Sequence, residues 1–227
     1  MVSAVTAPPA VTLALDAATY EGSVAVIRGG RVVAERTVVM RGETEERLMP
    51  AVLAALAEAG HSVRDVEHVV CGEGPGRFTS LRIAGAIAKG IAFGNAIPLY
   101  AVSSLALVVA GALDIRPGAY LAVLDAMRGE RFVAPFTRAA DGSLTVLGLA
   151  ARVTPEAAVE AALRDGAIMI GPLEQHTAMP HARGVAPLLD SIVRSGAVSV
   201  DAWEPVYGRL AEAQVKWEAA HGRSLPA

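Results

Sequence analysis

A single cysteine, Cys71, stands in 227 residues, so no disulfide framework can form within the chain, and its redox chemistry fits a reducing compartment. Aromatic residues are also scarce, at 4%, and the formal net charge is −3. A nucleic-acid binder acting alone carries a basic stripe and stacking rings, and neither stands out here. Charged residues make up only 19% of the chain against 53% apolar, which is too apolar for a disordered polymer. Yet charge, Gly or Pro interrupts every apolar run before it could span a bilayer. The opening MVSAVTAPPA lacks the basic region and long apolar stretch of a secretion signal and reads as a loose lead-in. These absences predict a cytoplasmic protein without membrane contact. The histidines (His61, His68, His176, His181 and His221) are scattered, and no helix carries a His pair at metal-binding spacing. There is no Gly-x-Ser-x-Gly elbow either. No catalytic residue and no metal ligand is assigned.

What is present is alternation. VTLALDAAT (11–19), GSVAVIRGG (22–30) and RVVAERTVVM (31–40) predict a three-strand meander, with Gly29-Gly30 suited to the positive φ of a tight hairpin turn. Residues 44–59 switch to helical spacing, with Leu48, Val52, Ala55 and Ala59 on one side, Glu45 and Glu46 at the start, and Pro50 marking a beginning or a kink. VEHVVCG (66–72) predicts a buried strand, 79–93 a helix, 96–102 a strand, and 103–113 a helix capped by Ser103 or Ser104. The theme then recurs. Residues 119–138 read as strand, turn and strand, and 141–153 as one further strand. Residues 154–166 form a helix with Thr154 as cap, Pro155 at its first position and Gly166 at its end. A short strand at 167–171 and a helix at 185–195 follow. The repetition is of architecture, not of residues.

Three features carry chemistry. In GEGPGRFTSLRIAGAIAKG (72–90) a strand feeds Gly74-Pro75-Gly76 and then a helix, a turn that suits a phosphate, a protein contact, or only a tight strand-to-helix connection. It is not a Walker loop, since no Gly-Lys-Ser/Thr follows, and Arg77 stands where a GxGxxG motif needs its last Gly. The helix at 79–93 places Leu81, Ala84, Ile87, Ala88 and Ile91 toward a core, while Ile83, Ala86, Gly90 and Phe93 occupy the other side beside Arg82 and Lys89. An apolar second face implies a second partner, or burial within the fold. Arg82 and Lys89 suit an anion, a partner carboxylate, or a solvated face. Third, Asp16 and Asp125 each end the first strand of a half, where an acid serves as a turn former or as a ligand. His176 and His181 flank Met179-Pro180 as chelators or as ordinary loop residues.

The segments LALDAAT (13–19), RLMPAVLAAL (47–56), GEGPGRFTSLRIAGAIAKGIA (72–92), PLYAVSSLALVV (98–109), LDAMRGERFVAPF (124–136) and EPVYGR with AQVKW (204–217) occur in the order seen in the TsaB (YeaZ) family, which this chain resembles. The resemblance implies an α/β chain of the actin-like ATPase (ASKHA, ribonuclease H-like) fold, in two related subdomains, each with a mixed sheet and helices. They are placed at 1–105 and 106–227, the first carrying the partner-binding helices. It further implies a non-catalytic dimerization subunit, docked to a TsaD-type catalytic subunit. With a TsaE-type ATPase, these add threonylcarbamoyl to N6 of the adenosine beside the tRNA anticodon. A homodimer is expected when the chain is alone, and tRNA is met only through the complex.

The implied partner contact comprises Glu45, Leu48, Met49, Val52, Phe78, Thr79, Arg82, Ile83, Ala86, Lys89 and Phe93. No cofactor is intrinsic, and ATP with Mg is admitted only at interfaces of the complex. Asp16, Gly74 and Gly76 are the nucleotide-binding candidates. They also define the rival expectation, an actin-like ATPase or phosphotransferase acting by itself. The sequence departs from the family pattern at Arg77, Ser80 and Ala84, where Ser, Gly and Gly are common, and at RGETEER (41–47), where many members carry a His. Ser80 and Ala84, bulkier than the glycines common there, are expected to tune packing against a partner.

Overall fold

The computed structural model of the protein describes residues 9–40 and 46–208. Its first sheet is built from β1 (Val11–Asp16), β2 (Glu21–Arg28), β3 (Arg31–Val39), β4 (His68–Gly72) and β5 (Leu99–Val102), in the order β3-β2-β1-β4-β5. The first three strands form the expected antiparallel meander, and β1, β4 and β5 run parallel. Gly29 and Gly30 turn the β2–β3 hairpin at φ 59° and 72°, a conformation that side chains resist. β1 is buried along its whole length, which is why VTLALD reads as a continuous run instead of alternating. Two helices, α1 (Leu48–Glu58) and α2 (Phe78–Asn95), cover one face of this sheet. Pro50 is the third residue of α1, where a backbone N–H has no helical acceptor, so it marks the start of the helix and not a kink. Glu46 accepts from the N–H groups of Leu48 and Met49, closing that end with negative charge.

The second sheet repeats this plan. Strands β6 (Gly118–Asp125), β7 (Arg131–Arg138), β8 (Leu144–Val146), β9 (Ala151–Val153), β10 (Ile168–Gly171) and β11 (His176–Thr177) follow the order β11-β10-β6-β7-β8, with β9 also on β7. Again the leading hairpin is antiparallel, and the last two strands are parallel to its first strand. The single strand expected over 141–153 is two short ones. Pro135 of β7 has no N–H to give a neighbour, its carbonyl takes the N–H of Leu147, and Gly148 sits against its ring, so the ladder breaks there. α4 (Pro155–Asp165) covers the outer face of this sheet. Thr154 Oγ1 accepts from the N–H of Ala157, and Gly166 ends the helix at φ 60°.

Between the sheets lie α3 (Ser104–Ala110) and α5 (Val185–Arg194), joined to the inner faces of both in one core that includes Leu105, Leu107, Val108, Tyr120, Phe132, Phe136 and Ile192. Every residue of α3 is buried, in keeping with a helix apolar all round. After α5 the chain returns to the first half: Val198 bridges Leu99, Trp203 enters the core beneath α2, and Val206 N–H donates to the Glu73 carbonyl at 2.6 Å. The molecule is thus layered as α1 and α2, first sheet, α3 and α5, second sheet, α4. The duplicated order of strands is the actin-like, ribonuclease H-like α/β architecture. Among the described residues no helix is long and apolar enough to cross a membrane.

Candidate functional site

Asp16 and Asp125 close the equivalent strands β1 and β6, and each uses Oδ1 to accept the N–H two residues on, from Ala18 at 3.0 Å and from Met127 at 2.9 Å. There the likeness ends. The Asp125 side chain is exposed and lies 3.6 Å from Arg131. Asp16 is fully buried, and its Oδ2 accepts from Ser104 Oγ at 2.5 Å. Ser104 Oγ in turn accepts from the N–H of Gly74 at 3.1 Å, and the Ser104 N–H donates to the Gly74 carbonyl at 2.8 Å. One hydroxyl therefore ties the end of β1, the Gly-Pro-Gly turn and the start of α3 together. Burial pushes Asp16 up to about 6, against the two hydrogen bonds that favour its charge. Burial beside Asp16 also raises the Cys71 thiol, leaving it an inert core group. Gly72 makes this arrangement fit, because a Cβ there would collide with Asp16 Oδ2.

The Gly74-Pro75-Gly76 turn is filled by the protein itself. Its Gly74–Pro75 bond is cis, a Cβ on Gly74 would meet the Val206 carbonyl, and one on Gly76 would meet the Ala18 carbonyl. The Arg77 N–H donates to that same Ala18 carbonyl at 2.9 Å, and the guanidinium lies over the Tyr20 ring at 3.3 Å. So Asp16, Gly74 and Gly76 do come together, joined by Ser104, Gly72 and Ala18, which the sequence did not single out for this role. His176 and His181 do not share a site. His176 belongs to β11, whereas buried His181 accepts from the Arg183 N–H at 3.1 Å, and burial with the Arg183 charge pushes it down to about 4. Among the described residues no group of three or more His, Cys, Asp or Glu could hold a metal ion.

α2 has four distinct sides. Leu81, Ala84, Ala88 and Ile91 face the core, and Ile83 and Ile87 are half-buried at its edge. A third side lies under the returning segment: a Cβ added at Gly85 would meet Pro205 and Trp203, Lys89 Nζ donates to the Trp203 carbonyl at 2.8 Å, and Phe78 meets Tyr207 at 4.5 Å between ring centroids. The fourth is open. Arg82, Ala86, Gly90 and Phe93, with the edge of Phe78 that Tyr207 leaves open, form an exposed stripe at helical spacing, about 22 Å long, running from Phe78 at 37% exposure to Phe93 at 75%. Nothing lies within 4 Å of a Cβ added at Gly90, so the fold itself gives no reason for a glycine in mid-helix.

Several expected contact residues are corrected by these positions. Leu48 and Val52 are fully buried in the core under α1, because the apolar side of an amphipathic helix turns to its own sheet; Met49 is half-buried and Leu53, unremarked in the sequence, is 49% exposed. Lys89 is engaged by the returning segment, and Ile83 is half-buried, while Thr79 is exposed. Ser80 and Ala84 point inward, not toward a partner. Glu45 lies outside the described residues.

The family described as TsaD: tRNA N6-adenosine threonylcarbamoyltransferase matches residues 39–156, slightly more than half of the chain. The chain is similar to the tRNA threonylcarbamoyladenosine biosynthesis protein TsaB of Escherichia coli, 38% identical over 132 residues, which cover 57% of this chain and 56% of that protein. With TsaB of Bacillus subtilis it shares 33% identity over 118 residues, covering 52% and 51%. The chain spans about half the length of these curated relatives. Among solved structures, YeaZ from Pseudomonas aeruginosa superposes with a TM-score of 0.72 at 28% identity, covering 87% of this chain and 99% of that one.

Proposed function

This chain belongs to that family, as a TsaB (YeaZ) member in tRNA threonylcarbamoyladenosine biosynthesis, and we propose that it is a non-catalytic dimerization subunit that docks and stabilises a TsaD-type catalytic subunit. The observation that carries this reading is the open stripe of α2. An exposed aromatic at each end, small residues between them and one cation, Arg82, make a strip that a facing helix can approach closely. Gly90 is then explained by the partner instead of by the fold. The exposed Leu53 and half-buried Met49 of α1 extend the apolar surface to one side.

A non-catalytic role is also what the Asp16 site favours. A carboxylate that is to hold a metal-bound phosphate must reach solvent, and Asp16 spends both oxygens on the protein's own groups. In this reading the complex also contains a TsaE-type ATPase, tRNA is engaged only through the complex, and the assembly works in the cytoplasm. A homodimer through the same stripe forms when the TsaD-type subunit is absent. ATP with Mg binds only at interfaces of the complex.

Amide hydrogen exchange on the complete chain, with and without the TsaD-type protein of the same organism, tests the site. Protection concentrated in residues 78–94 is expected. Protection elsewhere with α2 unchanged would move the contact, and no protection at all would remove the docking role.

A further inference from the structure

We propose that the groove between α4 and β10 is a second docking site, one that takes a basic, amphipathic helical segment of a partner protein. A cavity of about 620 Å³ opens there. Val159, Leu163, Ile168 and Met169 form its apolar walls, and Glu174 of the β10–β11 connection and His176 of β11 line it as well. Leu163 is 76% exposed and Val159 46%, at the outer face of a helix that buries only Ala158 and Ala162 in its own sheet, and Ile168, the first residue of β10, is 52% exposed. A helix of this composition leaves leucine and valine to water unless something else covers them.

Charge decides what covers them. From Pro155 to Thr177 the chain carries four carboxylates, Glu156, Glu160, Asp165 and Glu174, and one cation, Arg164, which is already bound to Asp165 at 2.9 Å and 3.1 Å. Glu174 lines the groove and the other three acids sit on α4, so an anionic partner, whether nucleic acid or an acidic membrane, meets repulsion here. A second copy paired about a two-fold axis sets the same acids against each other. A positively charged segment gains where those lose. The available backbone also favours a helix over an added strand, because the edge strand β11 offers only two residues of ladder. Apolar side chains of the incoming helix would fill the space between Leu163 and Ile168, and its Lys or Arg residues would reach Glu160 and Glu174. The groove is on the outer face of the second sheet and α2 is on the outer face of the first, so both can be occupied at once.

Fluorescence anisotropy of the complete chain with a labelled peptide tests this. The probe is an amphipathic Leu/Lys helix about four turns long, against a counterpart with Glu in place of Lys. Saturable one-to-one binding of the Lys peptide alone is expected, with affinity falling about tenfold or more in Leu163→Asp and in Glu174→Lys. Asp201→Lys, a charge change of the same size beside α2, should leave it unaltered. Because Leu163 is exposed and Glu174 only half-buried, thermal melting should be nearly unchanged; if Leu163→Asp melts early, Leu163→Gln replaces it. Equal weakening by Asp201→Lys would reduce the binding to net charge and overturn the proposal. So would indifference to Leu163, binding of the Glu peptide, or self-association that Leu163→Asp abolishes.

Discussion

Replacing Asp16 by Asn removes a buried acid while keeping an oxygen for the Ala18 N–H. The new amide faces Ser104 Oγ and donates to it, so that hydroxyl loses its acceptor, a loss of about 1 kcal/mol that does not vary with pH. The pH-dependent part comes from the raised proton affinity. With Asp16 at about 6 when folded and near 3.8 when unfolded, the folded chain binds more protons across that window, so this group stabilises fully at low pH and loses its contribution as pH rises through 6. About 2.2 units correspond to about 3 kcal/mol, of which about 2 kcal/mol is lost between about pH 4.5 and pH 7. His181 pulls the other way, since its lowered value makes stability fall as pH falls below its unfolded value, but it is present in both proteins and cancels in the difference. Urea unfolding of wild type and Asp16→Asn across that range is the assay. The stability difference, wild type minus variant, should decrease steadily with rising pH. Parallel curves would show that Asp16 titrates as an ordinary exposed acid and would refute the closed site described here.

Three further outcomes follow from the packing. Gly72→Ala should destabilise by about 3 kcal/mol or more by forcing a Cβ onto Asp16, and Asp16→Ala should return about 1 kcal/mol or more of that loss in the double variant, read by the same unfolding assay. Gly90→Ala should stabilise the isolated chain by up to about 1 kcal/mol, since nothing obstructs the methyl, yet weaken pairing with the TsaD-type subunit; a gain in both measurements would mean the stripe is not approached closely. Arg82→Glu and Ala86→Trp, both at exposed positions, should leave the melting temperature nearly unchanged and weaken pairing about tenfold or more by titration calorimetry.

Local chemistry made much of this fold legible. The Gly29-Gly30 hairpin, the Thr154 cap with Pro155 and Gly166, and the meander at the head of each half depend on residues close together in the chain. The strand break at Gly148 depends on Pro135, across the ladder, and could not be seen from 141–153 alone. Periodicity identified two-faced apolarity in α2 but not its coverings. Nothing within DAWEPVY (201–207) shows that it will lie along that helix and engage Lys89 and Phe78. For α1 the same periodicity marks Leu48 and Val52 equally well as core or contact, and only the position of the sheet decides for core. Ser104 looks like one of two helix caps, whereas its hydroxyl serves Asp16 and Gly74, residues distant in sequence.

The most direct test of the docking role is the solution mass of the complete chain, alone and mixed with the TsaD-type protein of its own organism, by light scattering after co-purification. A one-to-one complex that replaces a homodimer, and that Arg82→Glu prevents, is the predicted result. No complex, together with stoichiometric ATP binding by the chain alone, would contradict it and point to an actin-like ATPase acting by itself.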